Sequence, residues 1–418
     1  MTREVQALVI GAGPAGLGAA LSLKNAGIED ILVVDREDSP GGILLQCIHN
    51  GFGLHQFNEE LTGPEYAERY INRFRKSNID LLVNTSAIDI IADGDKKTVV
   101  LLSEEEGLME VSAKAVILSM GCRERNRGNI AIPGSRPAGI MTAGFAQKMV
   151  NMHGHIPGKE IVILGSGDIG LIMARRLTWE GAHVKAVIEV QPFPGGLNRN
   201  IVQCLNDFKI PLYLSHTITN IKGNWRIKGV DVASIDKHLE PTSEDKFSLT
   251  CDCLLLSIGL IPENELSLKA GVILDPVTRG AIVDVNLMTS VPGVFACGNV
   301  LQVHDLADWV SEEAEYCGKA AALYIQDKIT KGRELPVKTG NLVRYVLPSR
   351  VEAGKEAILS LRPITPAKDI TLMIKSEKKI LHKKKHKKIF PSEMLRIPLK
   401  EIPADAQYID VSFVWEEK

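Results

Sequence analysis

Two short runs in this chain of 418 residues have the residue types and spacing to hold a phosphorylated nucleotide. Gly11-Ala12-Gly13-Pro14-Ala15-Gly16 sets three glycines at the intervals of a strand-to-helix turn, and Gly165-Ser166-Gly167-Asp168-Ile169-Gly170 repeats them. In such a turn the first glycine bends the chain and the second lets backbone approach a pyrophosphate. The third lets the helix pack closely on the strand, and the free N–H groups of the helix N-terminus face the phosphates. An acid follows each run at the same interval, Asp35 after Gly11 and Glu189 after Gly165. A carboxylate there accepts hydrogen bonds from the ribose hydroxyls of an adenosine. One glycine run is weak evidence in a chain with 36 glycines. Two runs, each with its strand, helix and acid, leave ordinary glycine turns a poor explanation. Glu189 would repel a 2′-phosphate and is followed by Val190-Gln191-Pro192 without a base, so NAD is expected over NADP. Arg199, in the next loop, is the cation that would reverse that preference.

These residues need parallel strands to present them. Strand Ala7–Ile10, a helix through Lys24 and strand Ile31–Val34 serve the first run; strand Ile161–Leu164, a helix through Trp179 and strand Val184–Ile188 serve the second. The predicted class is α/β. The length predicts two to four domains, and 45% hydrophobic with 24% charged residues is ordinary for a globular chain. No apolar run approaches the ~18 residues of a membrane span, and Met1 to Gln6 lead straight into a strand pattern instead of a secretory signal. A cytoplasmic protein is therefore expected. The seven cysteines form no Cys-x-x-Cys pair, and the Cys251 and Cys253 side chains, on one face of a strand, are too few for a metal site. No metal is expected.

Two dinucleotide folds in one chain, the second inserted in the first, resemble the two-domain flavoproteins of the pyridine nucleotide-disulfide oxidoreductase superfamily. Three further segments carry the likeness over residues 1–332. Val116–Gly121 is an apolar strand closing on glycine, Leu254–Pro262 is its counterpart with Gly259 and Pro262, and Gly293-Val294-Phe295-Ala296-Cys297-Gly298-Asn299 is similar to the final FAD motif. The resemblance implies that the first run holds FAD and the inserted one NAD(H). FAD would be lined by Gly11, Gly13, Pro14, Ala15, Gly16, Asp35, Arg36, Gly42, Gly121, Gly298 and Asn299; NAD by Gly165, Gly167, Asp168, Ile169, Glu189 and Gly259. Asn299 stands where the family usually has an aspartate, keeping a hydrogen-bonding side chain without the charge. The segments Gly41–Gly53, Gly121–Arg125 and Pro133–Gln147 further resemble FAD/NAD subunits of multicomponent dehydrogenases. Among these are sarcosine oxidase, dye-linked proline dehydrogenase, cyanide synthase and the oxidoreductase that accompanies anaerobic-type glycerol-3-phosphate dehydrogenase.

The superfamily's disulfide reductases carry two cysteines after the paired glycines. Here Leu44 and His49 occupy those places, so no dithiol relay is expected. Cys47 remains, and a lone thiol beside flavin is what oxidases and peroxidases of the superfamily use as a sulfenate, with His49 near enough in sequence to tune it. Cys47 and His49 are therefore the catalytic candidates; the plainer reading packs Cys47 beneath the ring. His55 is read as a surface or cap residue. The helix after Asn299 is expected to begin near His304-Asp305, with Asp305 as its N-cap, and to turn its positive end toward the flavin.

From Asn341 the pattern changes to short alternating runs, Leu342–Leu347, Glu356–Leu361, Ile370–Ile374, Met394–Pro398 and Tyr408–Trp415, which predict a small β-sandwich. The sandwich segment has 16 basic against 10 acidic residues, so the net charge of −2 sums an acidic body and a basic tail. Lys375–Lys388 holds eight lysines but no aromatic residue, which speaks against nucleic acid and for a solvated hairpin edge, with docking of an acidic partner as the second reading. The expected organisation is an FAD domain at 1–125 and 287–332, an NAD domain at 126–286 and a sandwich at 340–418. The expected function is FAD-dependent electron transfer between NAD(H) and a partner dehydrogenase or electron-transfer subunit, in an oligomer without membrane insertion. The alternatives are an NADH oxidase or peroxidase using Cys47, and a flavin-binding interaction protein without activity.

Overall fold

The structure, a computed structural model, describes residues 2–330, 332–377 and 379–415. Lys378, one of the eight lysines of the basic run, and the chain ends of the expected domains lie outside the described residues. The chain packs as two compact units, Met1–Cys122 with Pro262–Lys418, and Arg123–Ile261.

The first unit is built on a parallel sheet in the order Asp80–Leu82, Ile31–Val34, Thr2–Ile10, Gly107–Leu118, with Val294–Ala296 beyond the last. Every residue of Ile31–Val34 is buried, the pattern of a strand covered on both faces. Thr85–Ile91 and Lys97–Ser103 extend the sheet as an antiparallel meander along the first half of Gly107–Leu118. Helix Pro14–Asn25 follows the first strand and packs on the 19-residue helix Ala307–Ile325. Small residues let the two backbones come close: a Cβ on Gly18 would lie 3.5 Å from that of Ala314, and one on Gly318 would collide with the Ala19 carbonyl at 2.3 Å.

The second unit repeats the plan with five parallel strands, Ile140–Thr142, Cys253–Leu256, Glu160–Leu164, His183–Glu189 and Leu212–Leu214. A three-stranded antiparallel sheet, His216–Gly223, Ile227–Ser234 and Phe247–Thr250, joins it. The segment that follows, placed by sequence in the insertion up to residue 286, packs with the first unit instead. The buried Asn264 explains this, since its amide donates to the Arg279 and Val300 carbonyls at 2.8 and 2.9 Å.

The tail forms two sheets, one of five strands in the order Arg350–Glu352, Glu334–Thr339, Ile409–Val414, Ala367–Lys375, Ile380–Ile389, the other of Val343–Leu347, Ala357–Pro363 and Leu395–Leu399. Leu359, Leu361, Ile370, Leu372, Ile374, Val411 and Phe413 fill the space between them without exposure. Three of these strands escape the apolar alternation: Glu334–Thr339, Arg350–Glu352 and the lysine-rich Ile380–Ile389. The last forms because its neighbour holds it, Ile370 opposite His386 and Leu372 opposite Lys384, and it lies at the sheet edge. Charged residues there discourage pairing with another chain. No helix among the described residues is long and apolar enough to cross a membrane.

Candidate functional site

The first glycine turn sits at the end of strand Thr2–Ile10. Gly11 has φ +107°, and a Cβ there would meet the Ser119 carbonyl at 2.6 Å. A Cβ on Gly16 would lie 1.7 Å from the Gly11 carbonyl oxygen, so both positions exclude any side chain. Gly13 differs: a Cβ on it would meet only the Gly42 Cα, at 3.9 Å. Gly13 is also the N-cap of helix Pro14–Asn25 and makes no side-chain cap. This open, glycine-lined N-terminus forms a cradle that offers the free N–H groups a pyrophosphate would need. Gly42 closes one side, since a Cβ on it would come within 2.9 Å of the Gly13 Cα, and Gly298 closes another against the Ala15 Cβ at 2.8 Å. Asp35 completes the turn. One carboxylate oxygen accepts the Ala12 N–H at 2.5 Å and the other the Glu37 N–H at 2.9 Å. Arg36 is exposed beside it.

The second turn copies the first. Glu189 accepts the Ser166 N–H at 2.8 Å and its hydroxyl at 2.5 Å, while its other oxygen accepts the Gln191 N–H at 2.8 Å. Gly165 and Gly170 are held against Ser257 as Gly11 and Gly16 are held near Ser119. Gly167 is the N-cap of helix Asp168–Trp179, without a side-chain cap, and Ile169 lies in its first turn. Asp168 turns aside: it accepts the Leu197 N–H at 2.8 Å and the Asn200 amide at 2.6 Å, so it holds the following loop. The copying goes further than the two fingerprints, because Pro40-Gly41-Gly42 after Asp35 has its counterpart in Pro194-Gly195-Gly196 after Glu189. Gly41 donates to the Ala12 carbonyl and Gly195 to the Ser166 hydroxyl, each at 2.8 Å. This second cradle wall was legible as a repeat at the same interval after each acid. Gly121 and Gly259, both at positive φ, end the return segments of the two units.

Cys47 follows the short turn Gly42–Gln46. Its thiol donates to the Ile43 carbonyl at 3.3 Å, and burial pushes it up to about 12, so it is a neutral thiol at ordinary pH. His49 has its Nδ1 3.0 Å from the Asn50 carbonyl and its ring tilted against Phe52, with centroids 5.1 Å apart. The loop that follows is fixed by a residue the sequence reading missed. Asp308, buried in the first turn of Ala307–Ile325, accepts the N–H groups of Gly53, His55 and Gln56 at 2.8–3.1 Å.

Asn299 and its surroundings form a connected polar cluster. Its Oδ1 accepts the His304 N–H at 3.0 Å, and its amide lies 3.6 Å from the Cys122 sulfur. His304, whose side chain is 2% exposed, reaches Glu313 at 3.2 Å. Glu313 also accepts from the Gly298 N–H at 2.8 Å and the Gln302 amide at 2.9 Å. Burial alone would raise this carboxyl, but the His304 charge and these hydrogen bonds bring it below its ordinary value. Gln302 retains one buried oxygen without a partner. The helix itself starts at Ala307 with Leu306 as N-cap, so Asp305 is not the cap expected from sequence. It faces the sandwich, accepting from Arg362 at 3.2 Å and the Met394 N–H at 3.1 Å. His55 stacks on Trp309 with centroids 4.6 Å apart.

Comparison with known proteins agrees with this architecture. The chain is 25% identical over 381 residues to hydrogen cyanide synthase subunit HcnB of Pseudomonas aeruginosa, covering 84% of this chain and 78% of that one. It is 26% identical over 340 residues to an opine oxidase subunit of Agrobacterium tumefaciens, covering 76% of this chain but 64% of the relative. The solved thioredoxin reductase of T. acidophilum superposes with a TM-score of 0.62 at 22% identity, over 78% of this chain and 99% of the other, which establishes the shared fold. The family described as pyridine nucleotide-disulphide oxidoreductase matches residues 5–315. This chain belongs to that family and is an FAD-dependent NAD(P)H oxidoreductase.

Proposed function

We propose that this chain is the FAD- and NAD(H)-binding subunit of a multicomponent dehydrogenase, moving electrons between nicotinamide and a second redox partner through the flavin. The thiol position carries the reading. Leu44 and His49 stand where disulfide reductases keep their cysteines, and Cys47 is a neutral thiol tied to its own turn. A flavin here has no dithiol to reduce, so its electrons go elsewhere, and a partner protein is the proposed source or destination. The names of the two relatives, both of them subunits, support this.

FAD supplies the two-electron chemistry when bound. The chain's own residues position it: Gly11, Gly13 and Gly16 with the helix N-terminus at the pyrophosphate, Asp35 at the adenosine ribose, and Gly298 and Asn299 at the far side of the cradle. Glu189 at the second ribose favours NAD(H) over the 2′-phosphorylated form. For hydride transfer the chain's residues would have to supply orientation and no acid–base pair. Such a protein draws on the cytoplasmic NAD(H) pool and works in an oligomer with its partner.

The test is anaerobic mixing of the FAD-loaded protein with NADH or NADPH, followed by the purified partner. Bleaching of the flavin by NADH, slower bleaching by NADPH and reoxidation by the partner are expected, unchanged in Cys47→Ser. Turnover with oxygen or peroxide that disappears in Cys47→Ser would replace this reading with the thiol mechanism. Absence of bleaching by either nucleotide would leave a flavin-binding interaction protein.

A further inference from the structure

The sandwich, separate in the sequence reading, is tied to the segment that closes the first cradle. Arg362, on strand Ala357–Pro363, donates to the Val303 carbonyl at 2.9 Å, Asp305 at 3.2 Å, the Pro391 carbonyl at 3.0 Å and the Tyr345 hydroxyl at 3.2 Å. The side chains of Arg362 and Asp305 are 12% and 10% exposed, so the pair is shielded from water. Val303 and Asp305 flank His304. His304 in turn meets Asn299 and Glu313, and Glu313 holds the Gly298 N–H. Hydrogen bonds on either side of the Val303–Asp305 backbone therefore link a tail arginine to Gly298, which closes the cradle against Ala15, and to its neighbour Asn299.

We infer that Arg362 is a positioning residue for the FAD site: by fixing the carbonyl and carboxylate on either side of His304, it sets how Gly298 and Asn299 meet the cofactor. This rests on the proposed placement of FAD in the first cradle. A guanidinium suits the task because its planar fork serves several acceptors at once, which a lysine cannot reproduce. The sandwich has a second anchor that serves as an internal control. Arg396 pairs with Glu312 at 2.6 and 3.1 Å and lies over the Trp309 ring at 4.7 Å, so these bonds hold the helix and not the Val303–Asp305 segment.

Full-length Arg362→Ala, Arg362→Lys and Arg396→Ala proteins, stripped of FAD and titrated with it, test the inference, with the flavin midpoint potential and visible circular dichroism as independent readouts. Arg362→Ala is expected to weaken FAD binding about tenfold or more, the scale of one buried charge-assisted contact, and to shift the potential and the dichroism. Arg362→Lys should recover part of the loss, and Arg396→Ala should leave all three readouts near the wild type. Equal effects of Arg362→Ala and Arg396→Ala would overturn the inference, because docking of the sandwich as a whole would then be responsible. No change in Arg362→Ala would overturn it too. If Arg362→Ala does not fold, Asp305→Asn, which keeps the shape and removes the charge, takes its place with the same expected direction. Gly13→Ala separates the two levels: if it leaves FAD affinity intact, the placement of FAD fails; if it weakens FAD while the Arg362 and Asp305 variants do not, only the role of Arg362 fails.

Discussion

The Glu189 carboxylate accepts the Ser166 N–H at 2.8 Å, the same bond that Asp35 accepts from Ala12. Each acid braces its glycine turn, and the proposed function gives it a second duty at the ribose. Ser166→Ala removes only part of the brace, because its hydroxyl joins Glu189 and Gly195. It should cost about 1–2 kcal/mol in denaturant unfolding and leave the NADH to NADPH preference unchanged. Glu189→Ala should cost stability as well, and in addition raise kcat/KM with NADPH relative to NADH. An unchanged ratio would remove Glu189 from nucleotide selection.

Gly16 and Gly13 lie in one motif yet should respond oppositely to alanine. A Cβ on Gly16 overlaps the Gly11 carbonyl at 1.7 Å, so Gly16→Ala must displace backbone and is expected to lower the yield of folded protein. Gly13→Ala meets only the Gly42 Cα at 3.9 Å. The expected result is a folded protein, with circular dichroism like the wild type, whose FAD affinity falls about tenfold or more because the methyl group would stand at the proposed pyrophosphate position.

Burial that pushes the Cys47 thiol up to about 12 predicts slow chemistry. At pH 8 about one part in ten thousand is thiolate. Iodoacetamide should label Cys47 far more slowly in the native protein than in denaturant, followed by peptide mass spectrometry. Rapid native labelling at pH 7 would mean that the thiol ionises and would revive a sulfenate mechanism.

Glu313 gives a dependence on pH with a definite sign. Its folded value lies below the ordinary 4.5, so its contribution is complete above the ordinary carboxylate range and is lost as pH falls through the folded value. Glu313→Gln leaves His304 without its charged partner and should destabilise the protein at pH 7 by about 3 kcal/mol. The gap between the two proteins should narrow as pH drops below 4.5. A gap that stays constant down to acid unfolding would show that the carboxylate charge is not the stabilising element.

The two nucleotide turns were legible because every part of each lies within one continuous stretch. A glycine that must bend, a glycine that must stay open and an acid one helix and one strand later are consequences of local geometry, and local geometry repeats when the sequence does. The repeat extends past the acids, since Pro194-Gly195-Gly196 follows Glu189 as Pro40-Gly41-Gly42 follows Asp35. The tail was legible where strands alternate apolar and polar residues. At Ile380–Ile389 it was legible through charge alone: the lysines carry no apolar period but mark a solvated hairpin edge, and the strand lies at the sheet edge because Ala367–Lys375 supplies its partner.

The sequence by itself determined two glycine turns of the dinucleotide-binding kind, an acid that braces each, the replacement of the expected dithiol positions by Leu44 and His49, and a β-rich tail. Each follows from which residues are neighbours along the chain. Only the tertiary structure decided that Asp305 bonds to Arg362 instead of capping its helix, that Asp308 holds the loop after His49, that Asp168 serves its own loop, and that His304 and Glu313 meet beside Gly298. In each case a polar group chooses between a local and a distant partner. Burial makes an unsatisfied group costly, so the choice goes to whichever partner packing brings within reach, and the order of residues does not disclose that distance.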